Sequence, residues 1–341
     1  MSLRGSPDER TPAELLGFGV VNLDKPPGPS SHEVADWVKA HVQSVLERVD
    51  PEADNVDRVA HAGTLDPKVT GSLPMLLGDA TRVAQVFDES IKEYIAVLEL
   101  HGPLPADFEA TFAEFEGEIY QKPPRKSAVR RRLRTREIYA LDVLETRERQ
   151  VLLRVRCAAG TYVRKLCHDL GLALGTGAHM GDLRRSATGT FDDTTLVTME
   201  TLVDALAFWA EDGDDTPLRE VVQPAERALV SLPRVTIAPN AAREVAQGAP
   251  VYAPGVLDVR PAERDKIGST DDDHGGVNED DHGGVNEDDD EDVCEKVHEG
   301  VVKGDLVACY TPNGAAVCLG RLVGDPEAEE GTVVSLERVL V

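Results

Sequence analysis

The stretch HAGTLDPKVTG, His61 to Gly71, sets one carboxylate, Asp66, between a leucine and a proline, with a histidine and two glycines close by. A carboxylate so placed can serve as a base or a nucleophile if a cation holds it ionised, and an arginine does this well. Aspartate before proline also favours turns, and on residue types alone that plainer use of Asp66 is the stronger expectation. Spacing does not say which arginine would be the partner. A second candidate is CAAGTYVRKLCHDLG, Cys157 to Gly171. It reads as the end of a strand and the start of a helix, with Tyr162 and Arg164 near a helix N-terminus that favours anions. Core packing plus a surface arginine accounts for the same residues and is the heavier expectation. Cys157 could be a thiol nucleophile, but no histidine partner is evident beside it. KPPRKSAVRRRLRTR, residues 122–136, holds eight Lys or Arg and no acid. Phosphate contacts are the physical use for such a run, against the plainer reading of a solvated loop. His274 and His282 lie in an acidic repeat; a hard-cation site needs fixed geometry, so no metal site is expected there.

These residues need elements to hold them. GVVNLDKPPGPSS (Gly19–Ser31) reads as a strand and a Pro/Gly loop, after which Ser30 or Ser31 can cap the helix HEVADWVKAHVQSVLERV. Its apolar residues Val34, Trp37, Val38 and Val42 keep helical spacing. SLPMLLGDATRVAQVF, after the Asp66 stretch, reads as a helix broken at glycine. KEYIAVLELHG (Lys92–Gly102) alternates as a strand does. ADFEATFAEFEGEIY is a helix candidate, and TREIY onward reads as strand, turn, strand and then a helix from about Tyr162. Residues 1–17 read as a loose polar tail. A helix-rich, acidic run reaches about residue 231, and from SLPRVTIAP onward short strands with many Pro and Gly indicate a small β-rich domain of about 100 residues. DHGGVNED occurs at 273–280 and again at 281–288. Such a repeat cannot bury a core, so residues from about 265 to 298 are expected to form a disordered acidic insert.

The 341 residues suggest two domains and allow a substantial core. No window offers the run of about 18 apolar residues that a membrane span needs, and the polar N-terminus lacks a signal-peptide core. The expected localisation is cytoplasmic. Five cysteines with no CxxC pair argue against a disulfide framework or a zinc ribbon and for buried reduced thiols. A net charge of -26 would ordinarily argue against a polyanionic partner. Residues 271–295 carry thirteen Asp or Glu and no Lys or Arg, so half of that charge lies in one segment. Lysine is scarce, ten against 26 arginines. A carboxylate-rich, lysine-poor surface suits a cytoplasm at high salt, where screening removes most self-repulsion, and there local basic patches say more about partners than net charge does.

Taken in order, these stretches resemble the motifs of the TruB-type pseudouridine synthases. HAGTLDPKVTGSLPMLLGDATR resembles the catalytic-aspartate motif, and GVVNLDKPPGPSSHEVADWVK the first motif. KEYIAVLELHG resembles the strand that carries the active-site tyrosine. GEIYQKPPRKSAVRRRLRTREIY resembles the QxPPxxSAxK region, and CAAGTYVRKLCHDLGLALGTGAHMGDLRRSATGTF the segment with GTYxR and a later LRR. Together they cover about residues 19–191. Their detail is similar to the archaeal and eukaryotic dyskerin branch, and the segment from LPRVTIAP is similar to a PUA domain, an RNA-binding pseudo-barrel. Two departures stand out: Ala60 precedes His61 where the family often has glycine, and the acidic insert is not a family feature.

The resemblance implies an α/β fold, a central mixed and mainly antiparallel sheet with a PUA pseudo-barrel. It implies residues 18–231 as the catalytic domain and 232–341 as the RNA-binding domain. It implies isomerisation of uridine to pseudouridine in ribosomal or transfer RNA, without metal or cofactor. Asp66 would be the nucleophile or base, Arg164 its ion-pair partner and Tyr94 the ring stacked on the target base. His61, Tyr162 and Leu183 would line the uridine pocket, and Lys122, Arg125, Lys126, Arg130, Arg131 and Arg132 would meet RNA. The implied partners are an H/ACA guide RNA, substrate RNA and the small proteins of that particle. Two competing readings are a stand-alone transfer-RNA synthase and a non-catalytic RNA-binding scaffold. The bacterial-type thumb insertion is not apparent near 122–136, and retention of Asp66, Tyr94 and Arg164 together counts against a mere scaffold.

Overall fold

The computed structural model describes residues 3–52, 56–123, 132–262, 296–298 and 300–341. Arg125, Lys126, Arg130, Arg131, Cys294 and nearly all of the acidic insert, with His274 and His282, lie outside the described residues. Two compact units separate between Leu229 and Val230.

The first unit runs α1 (Pro12–Gly17), β1 (Gly19–Lys25), α2 (Ser31–Val49), β2 (Val59–His61) and β3 (Thr70–Leu77). A 3-10 segment, Gly78–Phe87, leads to β4 (Lys92–Leu100), α3 (Phe108–Ala113), β5 (Gly117–Gln121), β6 (Arg134–Arg147) and β7 (Gln150–Cys157). The unit closes with α4 (Val163–Ala173), β8 (Ala178–Thr188), α5 (Met199–Asp212), α6 (Thr216–Val221) and β9 (Gln223–Pro224). Its sheet has the order β5-β6-β7-β4-β8-β3-β1-β9, with β2 paired to β3. The neighbours are antiparallel apart from β3 and β8, which run parallel. The expected α/β class with a mixed, mainly antiparallel sheet is therefore present.

Local chemistry explains most of these elements. Ser30 caps α2 in a reciprocal capping box with Glu33. Val34, Val38, Val42 and Leu46 are buried along that helix; each such side chain contributes roughly 1.5–3 kcal/mol. Trp37, expected on the same face, is 47% exposed, because four-residue steps from Val34 set the buried stripe and Trp37 falls at its margin. Alternation in β4 buries Ala96, Leu98 and Leu100 and leaves Ile95, Val97 and Glu99 partly open.

Three expectations are corrected. SLPMLL is strand β3, not a helix; it is buried at every position from Gly71 to Leu77, and a continuous apolar run does not distinguish a buried strand from a buried helix. The helix candidate ADFEATFAEFEGEIY divides into the six-residue α3 and edge strand β5. The tail is not loose to residue 17: Thr11 caps α1, and Leu15 and Leu16 enter the core. Arg10 there makes a two-pronged ion pair with Glu226 at 2.5 and 2.8 Å. Both partners are largely buried.

The second unit contains β10 (Arg234–Ile237), α7 (Pro239–Val245), β11 (Val251–Tyr252), β12 (Val256–Arg260), β13 (Lys296–His298) and β14 (Val301–Val302). It continues with β15 (Leu306–Tyr310), β16 (Ala316–Leu322) and β17 (Thr332–Val339). Six strands form one sheet in the order β11-β17-β16-β15-β10-β12, over a core that includes Val235, Ile237, Val307, Val317 and Val334. Cys157, Cys167, Cys309 and Cys318 are buried free thiols. Among the described residues no helix is long and apolar enough to cross a membrane, and no group of three or more His, Cys, Asp or Glu could hold a metal.

Candidate active site

Asp66 stands in the loop joining β2 to β3, where the turn reading of it holds. Its carbonyl accepts from the Val69 N–H at 2.9 Å, which closes a β-turn with Pro67 at the second position. That turn is held by the first motif. The Lys25 ammonium donates to the carbonyls of Pro26, Pro67 and Val69 at 2.9, 3.0 and 2.9 Å. The Gly28 N–H donates to the Pro67 carbonyl at 2.8 Å. Ser31 Oγ accepts from the Leu65 N–H at 2.9 Å and lies 3.1 Å from the Leu65 carbonyl. Lys25 is fully buried, and burial pulls its amine below the usual lysine value. A buried amine is costly unless bonded, and here two of its three partners are carbonyls of the Asp66 turn. At Gly71, φ is +97° and a Cβ would come within 2.2 Å of the Arg185 carbonyl. Only glycine lets β3 leave the loop this close to β8.

Arg164 is the second residue of α4, and its guanidinium meets the Asp66 carboxylate across 98 residues of sequence. The pair is open to water, the arginine side chain 54% and the aspartate 56% exposed. In the free chain the carboxylate is thus well solvated, and an ion pair this exposed gives at most about 1 kcal/mol to the fold. The turn ahead of α4 is fixed by the Thr161 hydroxyl donating to the Ala158 carbonyl at 2.7 Å. Tyr162 is the residue at the helix N-terminus, and its backbone is held by Gln121 of β5.

Tyr94 lies on β4 between Val155 of β7 and Arg185 of β8. Arg185 is 1% exposed. Its Nε donates to the Ser72 carbonyl at 2.8 Å and its Nη2 to the Gly63 carbonyl at 3.0 Å. Its charge also interacts with the Tyr94 phenol beside it. One guanidinium therefore ties the tyrosine to the loop that carries Asp66. Burial pushes the Tyr94 phenol up and the Arg185 guanidinium down from their ordinary values. Leu183 lies two residues before Arg185 on β8, opposite Ala96, and is 8% exposed. His61, on β2, has both ring nitrogens buried without a hydrogen-bond partner and stands 5.0 Å from the His32 ring. Burial lowers its pKa, and the charges of His32 and Arg185 act in the same direction. A neutral ring with two unused polar atoms suits a wall that a base edge can meet.

Lys92, two residues before Tyr94, is buried and donates to the carbonyls of Phe87 and Ser90 at 2.8 and 2.9 Å and to the Ser90 hydroxyl. Burial, helped by Arg185, pulls its amine down to about 7. An unfolded chain keeps that proton to about pH 10. Between these values the unfolded state binds the extra proton, so stability rises with pH from about 7 to about 10. Melting temperatures of the Lys92→Met variant should lack part of the rise seen in the parent protein over that range. Parallel curves for the two proteins would refute the assignment.

The chain fold thus joins Asp66 to Arg164 directly, and Tyr94 to the Asp66 loop through Arg185. Lys122, which opens the basic run, and Arg132 within it are exposed. Cys157 is fully buried, and burial raises its thiol to about 12, which leaves it inert as a nucleophile. Four positions went unread in the sequence: Lys25, Lys92, Gln121 and Arg185. Arg185 stands in DLRRSAT beside a second arginine, and nothing in that stretch tells a buried clamp from a surface charge.

Three family models match consecutive parts of the chain. They are the DKCLD (NUC011) domain over residues 4–35, the TruB family pseudouridylate synthase N-terminal domain over 52–104 and 103–163, and the tRNA pseudouridylate synthase B C-terminal domain over 164–230. The probable tRNA pseudouridine synthase B of Haloarcula marismortui is 59% identical, over all of this chain and 94% of that protein. A chain in the crystal structure of a Cbf5–Nop10–Gar1 complex superposes with a TM-score of 0.80 at 39% identity, over 100% of this chain and 90% of that one. A chain of an H/ACA ribonucleoprotein bound to a substrate RNA containing 2′-deoxyuridine gives 0.78 at 38%, over 99% and 90%.

Proposed function

Because the chain belongs to the TruB family of pseudouridylate synthases, and is therefore an isomerase, we propose that it converts uridine to pseudouridine as the catalytic subunit of an H/ACA ribonucleoprotein, with Asp66 as its reacting carboxylate. The observation that carries the site is the pairing of Asp66 with Arg164 on a loop clamped by Lys25, Gly28 and Ser31. In the isomerisation the bond from ribose C1′ to ring N1 breaks, the base turns, and a bond from C1′ to ring C5 forms. The proton on C5 leaves to water, and N1 takes one up. Asp66 acts either by adding to the substrate or by removing a ribose proton, and both routes need a carboxylate with a free oxygen within reach.

A uridine reaches such a site only by leaving its stack, and an aromatic ring can replace the stacking that it loses. Tyr94 supplies that ring in this reading, with the neutral His61, Tyr162 and Leu183 as the walls. The exposure of the Asp66–Arg164 pair fits a site that its RNA completes: the substrate would cover the pair, exclude water and strengthen its electrostatics. Residues 18–231 would be the catalytic domain and 232–341 the RNA-binding one, in a cytoplasm of high salt. The partners proposed are a guide RNA, ribosomal or transfer RNA as substrate, and small proteins of the kind named with the similar Cbf5 chain. Relatives named for transfer RNA keep a second reading open, in which the chain acts on transfer RNA without a guide.

Pseudouridine mapping in total RNA from cells with the protein, without it, and with Asp66→Asn tests both readings. Sites lost in the last two strains and matched to guide sequences support the first. Sites lost only in transfer RNA, and formed by the lone protein in vitro, support the second. No lost site would end the assignment. Neutralising Arg130, Arg131 and Arg132 should weaken RNA binding and reduce the slope of log K against log salt by roughly one for each phosphate contact removed. An unchanged slope would mean that those arginines are only solvated.

A further inference from the structure

We propose that Gln121 is a positioning residue for this reaction: its buried amide holds Tyr162, and with it the first turn of α4 that carries Arg164. The inference rests on the site assignment made above. Gln121 is the last residue of β5 and is 2% exposed. Its Oε1 accepts from the Tyr162 N–H at 2.8 Å, and its Nε2 donates to the Tyr162 carbonyl at 3.2 Å. Both polar ends of one side chain are thus spent on the backbone of one residue, 41 positions away. The amide acts as a strand would, since it offers one donor and one acceptor in the same plane.

The place of this contact gives it a function beyond stability. Tyr162 has extended backbone angles, φ -96° and ψ 94°, at the N-terminus of α4, and its own side chain does not cap the helix. The direction of the helix's first turn depends on where that residue is fixed, and Arg164 follows it by two positions. The guanidinium of Arg164 must meet Asp66, which is held from the other side of the site by Lys25 and Ser31. Each half of the ion pair therefore has its own anchor, and Gln121 is the anchor of the arginine half. Small misplacements of reacting groups are costly in rate, even where the fold survives them. Gln121 also directly precedes Lys122, the first residue of the basic run. The residue that begins the proposed RNA contact is thereby joined to one that positions the pocket.

The test compares the parent protein with Gln121→Ala, Gln121→Glu and Asp66→Asn in one reconstituted particle. The probe is an RNA labelled with tritium at uridine C5, whose release reports the isomerisation. Single-turnover rate, RNA affinity and melting temperature are measured for each. Gln121→Ala should slow the single turnover about tenfold or more, since the Tyr162 N–H loses its acceptor, while RNA affinity stays near the parent's and the melting temperature falls by only a few degrees, the Tyr162 carbonyl keeping the N–H groups of Lys165 and Leu166. In Gln121→Glu the carboxylate still accepts from the Tyr162 N–H but cannot donate to its carbonyl. Protonation restores that donor, so the rate of this variant relative to the parent should climb as pH falls into the carboxylate range. A framework role would not produce that profile.

Full rates in both Gln121 variants, with Asp66→Asn inactive, would overturn the proposal and leave the site assignment standing. Activity in Asp66→Asn would instead overturn the assignment itself. If both Gln121 variants melt far below the parent, or lose RNA affinity rather than rate, Gln121 belongs to the framework and the proposal is wrong.

Discussion

Asp66→Asn should remove pseudouridine formation, by a factor on the order of 10⁴ or more, while the protein still folds and binds RNA. The size follows from chemistry. An amide is neither a nucleophile nor a base at neutral pH, so either route loses its reacting group. The selectivity follows from geometry. The bonds that hold the loop go to the backbone of Leu65, Pro67 and Val69, not to the Asp66 side chain. Losing the exposed ion pair with Arg164 costs the fold at most about 1 kcal/mol. A melting temperature near the parent's together with no tritium release from labelled uridine is the expected pair of results. Substantial turnover by the variant would remove Asp66 from the reaction, whatever the fold resembles.

The second large effect is on stability. Arg185→Ala should cost about 3–5 kcal/mol, because it deletes a buried guanidinium with all its bonds and leaves a cavity. The carbonyls of Ser72 and Gly63 would each lose a donor in the same step, and the Tyr94 phenol its neighbouring cation. A loss of that size lowers the melting temperature by roughly 10 °C in a unit of some 200 residues. Activity should fall further than stability alone requires, since Tyr94 and the loop before Asp66 would no longer be tied together. Arg185→Met tests the cause. It restores volume but no donor, so it should recover only part of the loss. A variant that melted within a degree or two of the parent would show that the buried guanidinium is not holding these strands.

The two effects divide the site by what its residues do. Asp66 and Arg164 are open to water and contribute little to folding. Lys25 and Arg185 are buried, bonded to backbone carbonyls and surround the proposed reacting group without being able to replace it. That division is what the proposed catalytic role asks of a carboxylate in an ordinary Asp-Pro turn. The turn restrains the backbone, buried cations restrain the turn, and the side chain remains free for substrate.

Residue types alone carry the order of the motifs, the strand–loop–helix around Ser30, the alternation of β4, and the strand-to-helix passage into Tyr162 and Arg164. These are local matters: capping, period-two burial and turn chemistry act over a few residues and leave their mark in residue types. Residue types also mark Asp66 as a candidate, although only the resemblance lifted it above a turn residue. What the tertiary structure alone decided was the company each residue keeps. SLPMLL became a central strand because β1 and β8 flank it, and no period in the run could say so. The expected polar tail became helix α1 because Leu15 and Leu16 found a core. Arg164 met Asp66, Gln121 met Tyr162, and Arg185 met Tyr94 and Gly63 across 98, 41, 91 and 122 residues, and no spacing rule reaches so far. A lysine or arginine in sequence carries the same charge whether it will be solvated or enclosed. Only packing of distant strands removes its water and supplies carbonyls in return, and that step turned Lys25 and Arg185 from ordinary basic residues into the frame of a site.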